Sequence, residues 1–228
     1  MKKKQKILLL VSVLAVLMSA GGYVTYSYLS TVTKTANNTF QSDKKIGITL
    51  TEPEWDDHGK TEALSYVPGQ IIDKDPAVIL DDDSVSSYVA LKVQYFNEDG
   101  EEITFGEFQE TYLDGDSESQ GLDFSDSWVY IGNDKTDEQL RTGEYGKSVL
   151  YMYKTVLKPD DSLTDISENV TESLFTKVHL SDDISQDEYT RRLPHFNINV
   201  TAYAVQSDGI GMEEAKKALN ELAKADGL

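Results

Sequence analysis

Cysteine is absent from the sequence, and histidine occurs only at His58, His179 and His195. The chain therefore has no disulfide, no thiol nucleophile and no thiolate zinc site. None of the histidines stands in the H-E-x-x-H spacing of zinc peptidases, and neither a P-loop nor a G-x-S-x-G elbow is present. We predict that the protein is not an enzyme. A histidine metal site assembled from distant segments is the alternative that the sequence leaves open.

Basic residues are also scarce. Lys and Arg number 21 against 40 Asp and Glu, which gives a formal net charge of −19. Such an acidic chain is a poor partner for nucleic acid or for an anionic membrane surface, and we expect neither. Acidic runs bind calcium when their oxygens converge, and Asp81, Asp82 and Asp83 are the best candidates for such a site. The simpler interpretation of these runs is a solvated, repulsive surface, and no other cofactor is expected.

The N-terminus has the pattern of a secretory signal peptide, in which lysines precede an apolar run from Ile7 to Ala20. This run is shorter than the roughly 20 apolar residues that a membrane-spanning helix needs, although an uncleaved N-terminal anchor is the alternative. The small residues Thr25 and Ser27 suit the −3 and −1 positions of a signal peptidase site, so cleavage is predicted before Tyr28. We expect residues 1–27 to be removed and the protein to be secreted or held at the cell surface, with membrane contact only through an uncleaved signal.

Two long segments alternate apolar and polar residues, which is the period of a β-strand, and they are Ser87–Phe96 and Phe196–Val205. Weaker strand patterns lie at Ile46–Leu50, Trp128–Ile131, Val149–Leu157 and Leu174–Leu180. Met212–Ala225 has an apolar stripe at helical spacing, whereas the charged segments Glu52–Lys60 and Phe105–Gln120 are predicted to be irregular.

These patterns predict a mainly β protein, specifically an antiparallel β-sandwich of jelly-roll type with a short C-terminal helix. We assign residues 46–228 to this domain. Residues 28–45 are assigned to a mobile N-terminal segment, because their first part is polar and has few apolar anchors.

Several segments, taken in order, resemble the TasA/camelysin-like family of exported Gram-positive proteins. They are Gly21–Ser30, Thr35–Phe40, Ile46–Glu52, Val67–Gln70, Lys74–Val78, Ser87–Val93, Tyr151–Pro159, Ser173–Val178 and Phe196–Gln206. The resemblance implies export through the endoplasmic-reticulum-type signal peptidase and an extracellular, jelly-roll-like protein. In the best-known members it implies a biofilm matrix fibre, in which the N-terminal strand of one subunit completes the sheet of its neighbour.

The resemblance therefore predicts a secreted structural or surface protein, either a fibre subunit or an accessory that joins a homopolymer or other matrix subunits. The candidate residues for strand donation are Thr35, Phe40, Ile46, Ile48 and Leu50. In the monomer we expect the strand at Ile46–Leu50 to dock on its own domain and residues 28–38 to be loose. In a fibre, residues from about Thr31 to Phe40 would add to the next subunit. A monomeric binding module for cell-wall glycan or a host ligand is the alternative, and a metalloendopeptidase is a weaker one.

Overall fold

The computed structural model describes residues 30–32, 45–115, 121–131, 147–159 and 168–226. It is mainly β, with antiparallel sheets and three helices, which confirms the predicted fold class at this level. The strands are β1 Ser30–Val32, β2 Ile48–Thr51, β3 Ile71–Asp73, β4 Ala77–Leu80, β5 Ser87–Phe96, β6 Glu102–Ile103, β7 Trp128–Tyr130, β8 Ser148–Tyr153, β9 Lys177–His179 and β10 Asn197–Gln206. The helices are α1, a π-helical turn Trp55–Gly59 followed by an α-helical turn Lys60–Ala63, α2 Phe105–Tyr112 and α3 Met212–Ala225.

The central sheet has the strand order β1-β10-β5-β8-β7, with β6 paired to the end of β5. Its two longest strands, β5 and β10, pair antiparallel along their whole length, from Ser87 opposite Gln206 to Phe96 opposite Asn197. These are the two segments with the strongest alternation in the sequence. The remaining strands form two ribbons, β2–β4 and β3–β9, both antiparallel.

Both faces of the central sheet are covered, which follows from the apolar residues on each side of β5. Val89, Leu91, Val93 and Tyr95 are fully buried on one face, in a core shared with the two ribbons and α2. The opposite face holds a second apolar cluster, in which the side chains of α3 pack on the sheet. Its buried members are Ala90, Ile131, Leu150, Met152, Tyr203, Val205, Ala215, Leu219 and Ala223.

A buried lysine joins the C-terminal helix to the sheet. Lys92 lies on the helix-covered face of β5, is 2% exposed, and donates from Nζ to the backbone carbonyl of Asp226 at 3.1 Å. The Tyr203 hydroxyl donates to the Asp226 carboxylate at 2.9 Å. A cation at the carbonyl end of a helix complements the helix dipole, so this contact fixes the last turn of α3.

Two helices lie where the sequence predicted irregular chain. α2 falls inside the segment Phe105–Gln120, and its start is a capping box in which Thr104 and Glu107 exchange hydrogen bonds. α1 begins inside the segment Glu52–Lys60 and ends beyond it, at Ala63. Its N-terminus is held by the carboxylate of Asp75, which is distant in sequence, so a search for local caps does not find it.

The described part of the N-terminal region includes one strand before β2. Ser30–Val32 pair antiparallel with Tyr203–Val205 at the outer edge of β10. The assignment of residues 28–45 to a mobile segment stays a prediction. Residues 1–29, including the predicted cleavage positions Thr25, Ser27 and Tyr28, lie outside the described residues. Within the described ranges, no helix combines the length and the apolar character needed to cross a membrane.

Candidate functional site

The candidate site is built on the β3–β9 ribbon and on α1, which packs against it. In this ribbon Ile72 lies opposite Val178 and Asp73 lies opposite Lys177. Because side chains alternate across a strand, the first pair faces the interior and the second pair faces outward. The ribbon therefore has an apolar face and a charged face.

The apolar face lines a cavity of about 580 Å³ between the ribbon, β2, α1 and the first half of β10. Its apolar wall includes Leu50, Ile72, Val178, Leu180, Ile198 and Val200, and its aromatic wall includes Trp55, Tyr66 and Phe196. Gln94, Asn197, Asn199 and His195 also line it. Since His195, Asn197 and Asn199 are exposed, the cavity opens to solvent along β10.

A buried ion pair stands in the wall of this cavity. Lys74 Nζ lies 2.7 Å from Glu52 Oε1, and the two side chains are only 7% and 16% exposed. The same ammonium lies 4.7 Å from the centre of the Trp55 ring. A pair removed from water to this degree depends on both partners, because either charge alone would be left poorly solvated.

The next residue along the chain holds the start of α1. Asp75 is buried, and its carboxylate accepts hydrogen bonds from the backbone N–H groups of Glu54 and Trp55 at 3.1 to 3.2 Å. A carboxylate at a helix N-terminus satisfies free N–H groups and complements the dipole. Two consecutive charged residues in the segment between β3 and β4 thus position both the helix and the cavity wall.

On the charged face of the ribbon, His58 of α1 lies against β3. His58 Nε2 lies 2.5 Å from Asp73 Oδ2 and 3.8 Å from Glu54 Oε2, so two carboxylates approach the same ring nitrogen. The other ring nitrogen, Nδ1, lies 3.6 Å from Asp57 Oδ2. Lys177 Nζ donates to the second oxygen of Asp73. The cluster is accessible, with the His58 side chain 40% and that of Asp73 19% exposed.

The contacts of this cluster shift its protonation equilibria. The hydrogen bond with Asp73 raises the pKa of His58, and desolvation opposes this shift. The pKa of Asp73 is lowered, first by the hydrogen bond from Lys177 and then by that from His58. The pKa of Lys177 is raised by the same hydrogen bond with Asp73. Each partner therefore favours the charged form of the other.

The close approach of α1 to β3 depends on a glycine. Gly59 is buried, and a Cβ at this position would collide with the backbone carbonyl oxygen of Asp73 and with the ring of Trp55. Gly59 lies in the π-helical turn, a conformation that is rare and is found often at functional sites. The glycine lets the helix lie directly on the strand, which places His58 within hydrogen-bonding distance of Asp73.

The residues predicted from the sequence lie mostly elsewhere. In the described part of the chain, one group of three potential metal ligands has its ligand atoms within 4.8 Å of one another, namely Glu54, His58 and Asp73. Asp81, Asp82 and Asp83 do not belong to it; all three are exposed, and Lys45 forms an ion pair with Asp83. Calcium binding at these residues stays a prediction. His179 and His195 do not join His58, although His195 lines the cavity.

Of the residues assigned to strand donation, the structure places Ile46, Ile48 and Leu50 on the body of their own chain. Ile46 is 7% exposed, and Ile48 and Leu50 lie on β2, opposite Leu80 and Val78 of β4. Thr35 and Phe40 lie outside the described residues. From the sequence His58 was noted, but the residues that surround it were not connected with it. The four-residue spacing of Glu54 and His58 was a local signal that could have indicated one of these partners, Glu54.

The fold and the site together define a mainly β protein with a sheet edge beside an open cavity and a charged cluster behind the cavity wall. Comparisons of the chain with protein-family models, with curated proteins and with solved structures found no match.

Proposed function

We propose that the protein is a secreted structural subunit that assembles into extracellular fibres by adding its N-terminal strand to the sheet of a neighbouring copy. The observation that carries this proposal is the antiparallel pairing of Ser30–Val32 with the outer edge of β10. This short strand lies at the end of the sheet order, so its removal leaves β10 as the edge. The expected jelly-roll sandwich is part of the proposal, and it is supported by the two ribbons that share a core with one face of the central sheet.

The acceptor is the edge of β10. Among the described residues, no backbone group pairs with the outer edge of Asn197–Ala202, the part of β10 that borders the cavity. A sheet edge without a partner is a template for strand addition, and Ile198 and Val200 are half-buried along this part of β10. A donated strand would pair with the backbone groups of this edge and border these side chains.

The free energy of the pairing between β1 and β10 is small enough for the strand to exchange between copies. Three paired residues contribute a few backbone hydrogen bonds, each worth about 0.5–1.5 kcal/mol net. The same contacts form whether the strand comes from the same chain or from another copy, so concentration selects between the two states. Since β2 is paired with β4 of its own chain, the exchanged segment lies before Ile46.

Disulfide trapping tests the proposal, because the chain has no cysteine of its own. The observed register places Ser30 opposite Val205. The same register carried further along β10 in the assembled state would place Thr35 opposite Val200. Two preparations are mixed, one carrying only Thr35→Cys and the other only Val200→Cys. Directly opposed strand residues have Cα atoms about 4.5–5.5 Å apart, which a disulfide can bridge.

We expect the mixture to form a disulfide-linked heterodimer during assembly. The matched control replaces Val200→Cys by Thr201→Cys, which shifts the register by one residue and moves the thiol to the other face of β10. A variant lacking residues 28–38 should stay folded and monomeric. Fibres from this deletion variant, or equal cross-linking by the control pair, would refute strand donation.

The cavity supports a second candidate function, a monomeric binding module for a cell-wall glycan. The lining includes the aromatic residues Trp55, Tyr66 and Phe196 and the polar residues Asn197 and Asn199. Pockets that combine apolar rings with a few polar groups are typical ligand sites. Binding of soluble peptidoglycan fragments by the monomer, lost in Tyr66→Ala and retained in Tyr189→Ala, would favour this function. Tyr189 is 91% exposed and is absent from the cavity lining, so it is the matched control.

A further inference from the structure

We propose that Glu54, His58 and Asp73 form a binding site for one divalent transition-metal ion of the zinc class. Glu54 is the N-cap residue at the start of α1, His58 lies on α1 and Asp73 lies on β3, and their ligand atoms lie within 4.8 Å of one another. One imidazole nitrogen and two carboxylate oxygens are ligands that zinc accepts, with a fourth position left for water. The proposal is independent of strand donation, because none of the three residues lies on β10 or in the N-terminal segment.

The arrangement around the imidazole is that of a metal ligand. Oxygens of Asp73 and Glu54 lie 2.5 and 3.8 Å from the same nitrogen, Nε2. Ligands at about 2.0–2.2 Å from a tetrahedral zinc ion lie roughly 3.3–3.6 Å from one another. Small side-chain rotations would bring both distances into this range, with the ion in place of the proton between His58 and Asp73. Glu54 and His58 are four residues apart on one helix, as the two histidines of helical zinc motifs are.

An outer contact orients one of the ligands and a second carboxylate lies close to another. Asp57 Oδ2 lies 3.6 Å from Nδ1 of His58, and closing this gap to a hydrogen bond from Nδ1–H would leave the lone pair on Nε2 for the metal. Lys177 donates to Oδ1 of Asp73, so Oδ2 is the oxygen that remains for the ion. Such outer partners are a regular feature of protein metal sites, and here they come from separate elements.

The local charge also favours a divalent cation. Three carboxylates, those of Glu54, Asp57 and Asp73, surround one imidazole, and Lys177 is the ammonium that pairs with Asp73. With His58 neutral the cluster carries a net charge of about −2, which a divalent ion cancels. The Glu54 side chain is 62% exposed, so an ion can enter from solvent without a change in the fold.

Binding of zinc to the full chain, purified without a histidine tag, tests the site. Isothermal titration with zinc chloride in excess calcium suppresses diffuse binding to the acidic surface. We expect one zinc ion per chain, and His58→Gln and Glu54→Gln should each weaken binding at least tenfold. His179→Gln is the matched control, because His179 lies on the same ribbon next to Val178, and it should bind like the wild type.

A second measurement needs no variant. The chain has three histidines, so its imidazole proton resonances are few and assignable by NMR. Zinc should shift and broaden the signals of His58 and leave those of His179 and His195 in place. The proposal is overturned if the wild type binds no tighter than His58→Gln, if His179→Gln loses as much affinity, or if zinc shifts all three histidines alike. Circular dichroism of each variant without metal shows whether its fold is retained. If His58→Gln unfolds, Glu54→Gln still tests the site, because Glu54 is exposed and its replacement should leave the fold intact.

Discussion

The buried pair of Lys74 and Glu52 gives the sharpest prediction on stability. Replacing Lys74→Met keeps the length of the side chain, but it leaves the Glu52 carboxylate in the cavity wall at 16% exposure without its 2.7 Å partner. Breaking a buried pair in this way costs about 3–5 kcal/mol where water cannot enter. The contact with the Trp55 ring is lost as well, for about 0.5–1 kcal/mol. Because the open cavity lets water reach Glu52, we expect a total loss of about 2–4 kcal/mol.

The double variant Lys74→Met/Glu52→Gln separates the interaction energy of the ion pair from the contacts that each side chain makes with its surroundings. It removes both charges, so it should lose only about 1–2 kcal/mol. With the single variant Glu52→Gln completing the cycle, the coupling energy should be about 2 kcal/mol or more. Urea denaturation followed by circular dichroism measures these values. With a slope of about 2–3 kcal/mol per molar urea, Lys74→Met should lower the midpoint by roughly 1 M.

Lys60→Met is the matched control, because Lys60 lies on α1 and pairs with Asp56 at the exposed surface. Surface pairs of this kind contribute about 0–1 kcal/mol. The reasoning fails if Lys74→Met is as mild as Lys60→Met. It also fails if the coupling energy between Lys74 and Glu52 is below about 0.5 kcal/mol.

Three further predictions concern other parts of the chain. Lys92→Met should destabilise the protein by about 1–2 kcal/mol and expose α3 to limited proteolysis, because the carbonyl of Asp226 loses a charged donor; unchanged proteolysis would contradict this. Gly59→Ala should separate α1 from β3, since its methyl group meets the carbonyl of Asp73, and a lowered melting temperature together with weaker zinc binding is the expected result. Ser27→Leu should block cleavage, so that N-terminal sequencing of exported protein finds intact signal in place of a start at Tyr28.

The sequence was sufficient for the elements whose signal is local and long. β5 and α3 have the bounds that alternation and helical spacing predict, and β10 differs by one residue at each end. Each is long enough for its apolar period to be unambiguous. The capping box of Thr104 and Glu107 was a local signal as well, and attention to it would have predicted α2.

The tertiary structure alone decided the site. β9 lies inside the predicted strand Leu174–Leu180, but β3 is three residues long, too short for a period to be read, and their pairing joins segments about 100 residues apart. α1 is capped by Asp75 and held on β3 by Gly59, contacts that no local pattern contains. His58, Asp73 and Lys177 meet because these three elements pack together, and only the chain's long-range pairing determines which distant charges become neighbours. Local spacing specifies a strand or helix, whereas a site assembled from several elements is specified by their packing.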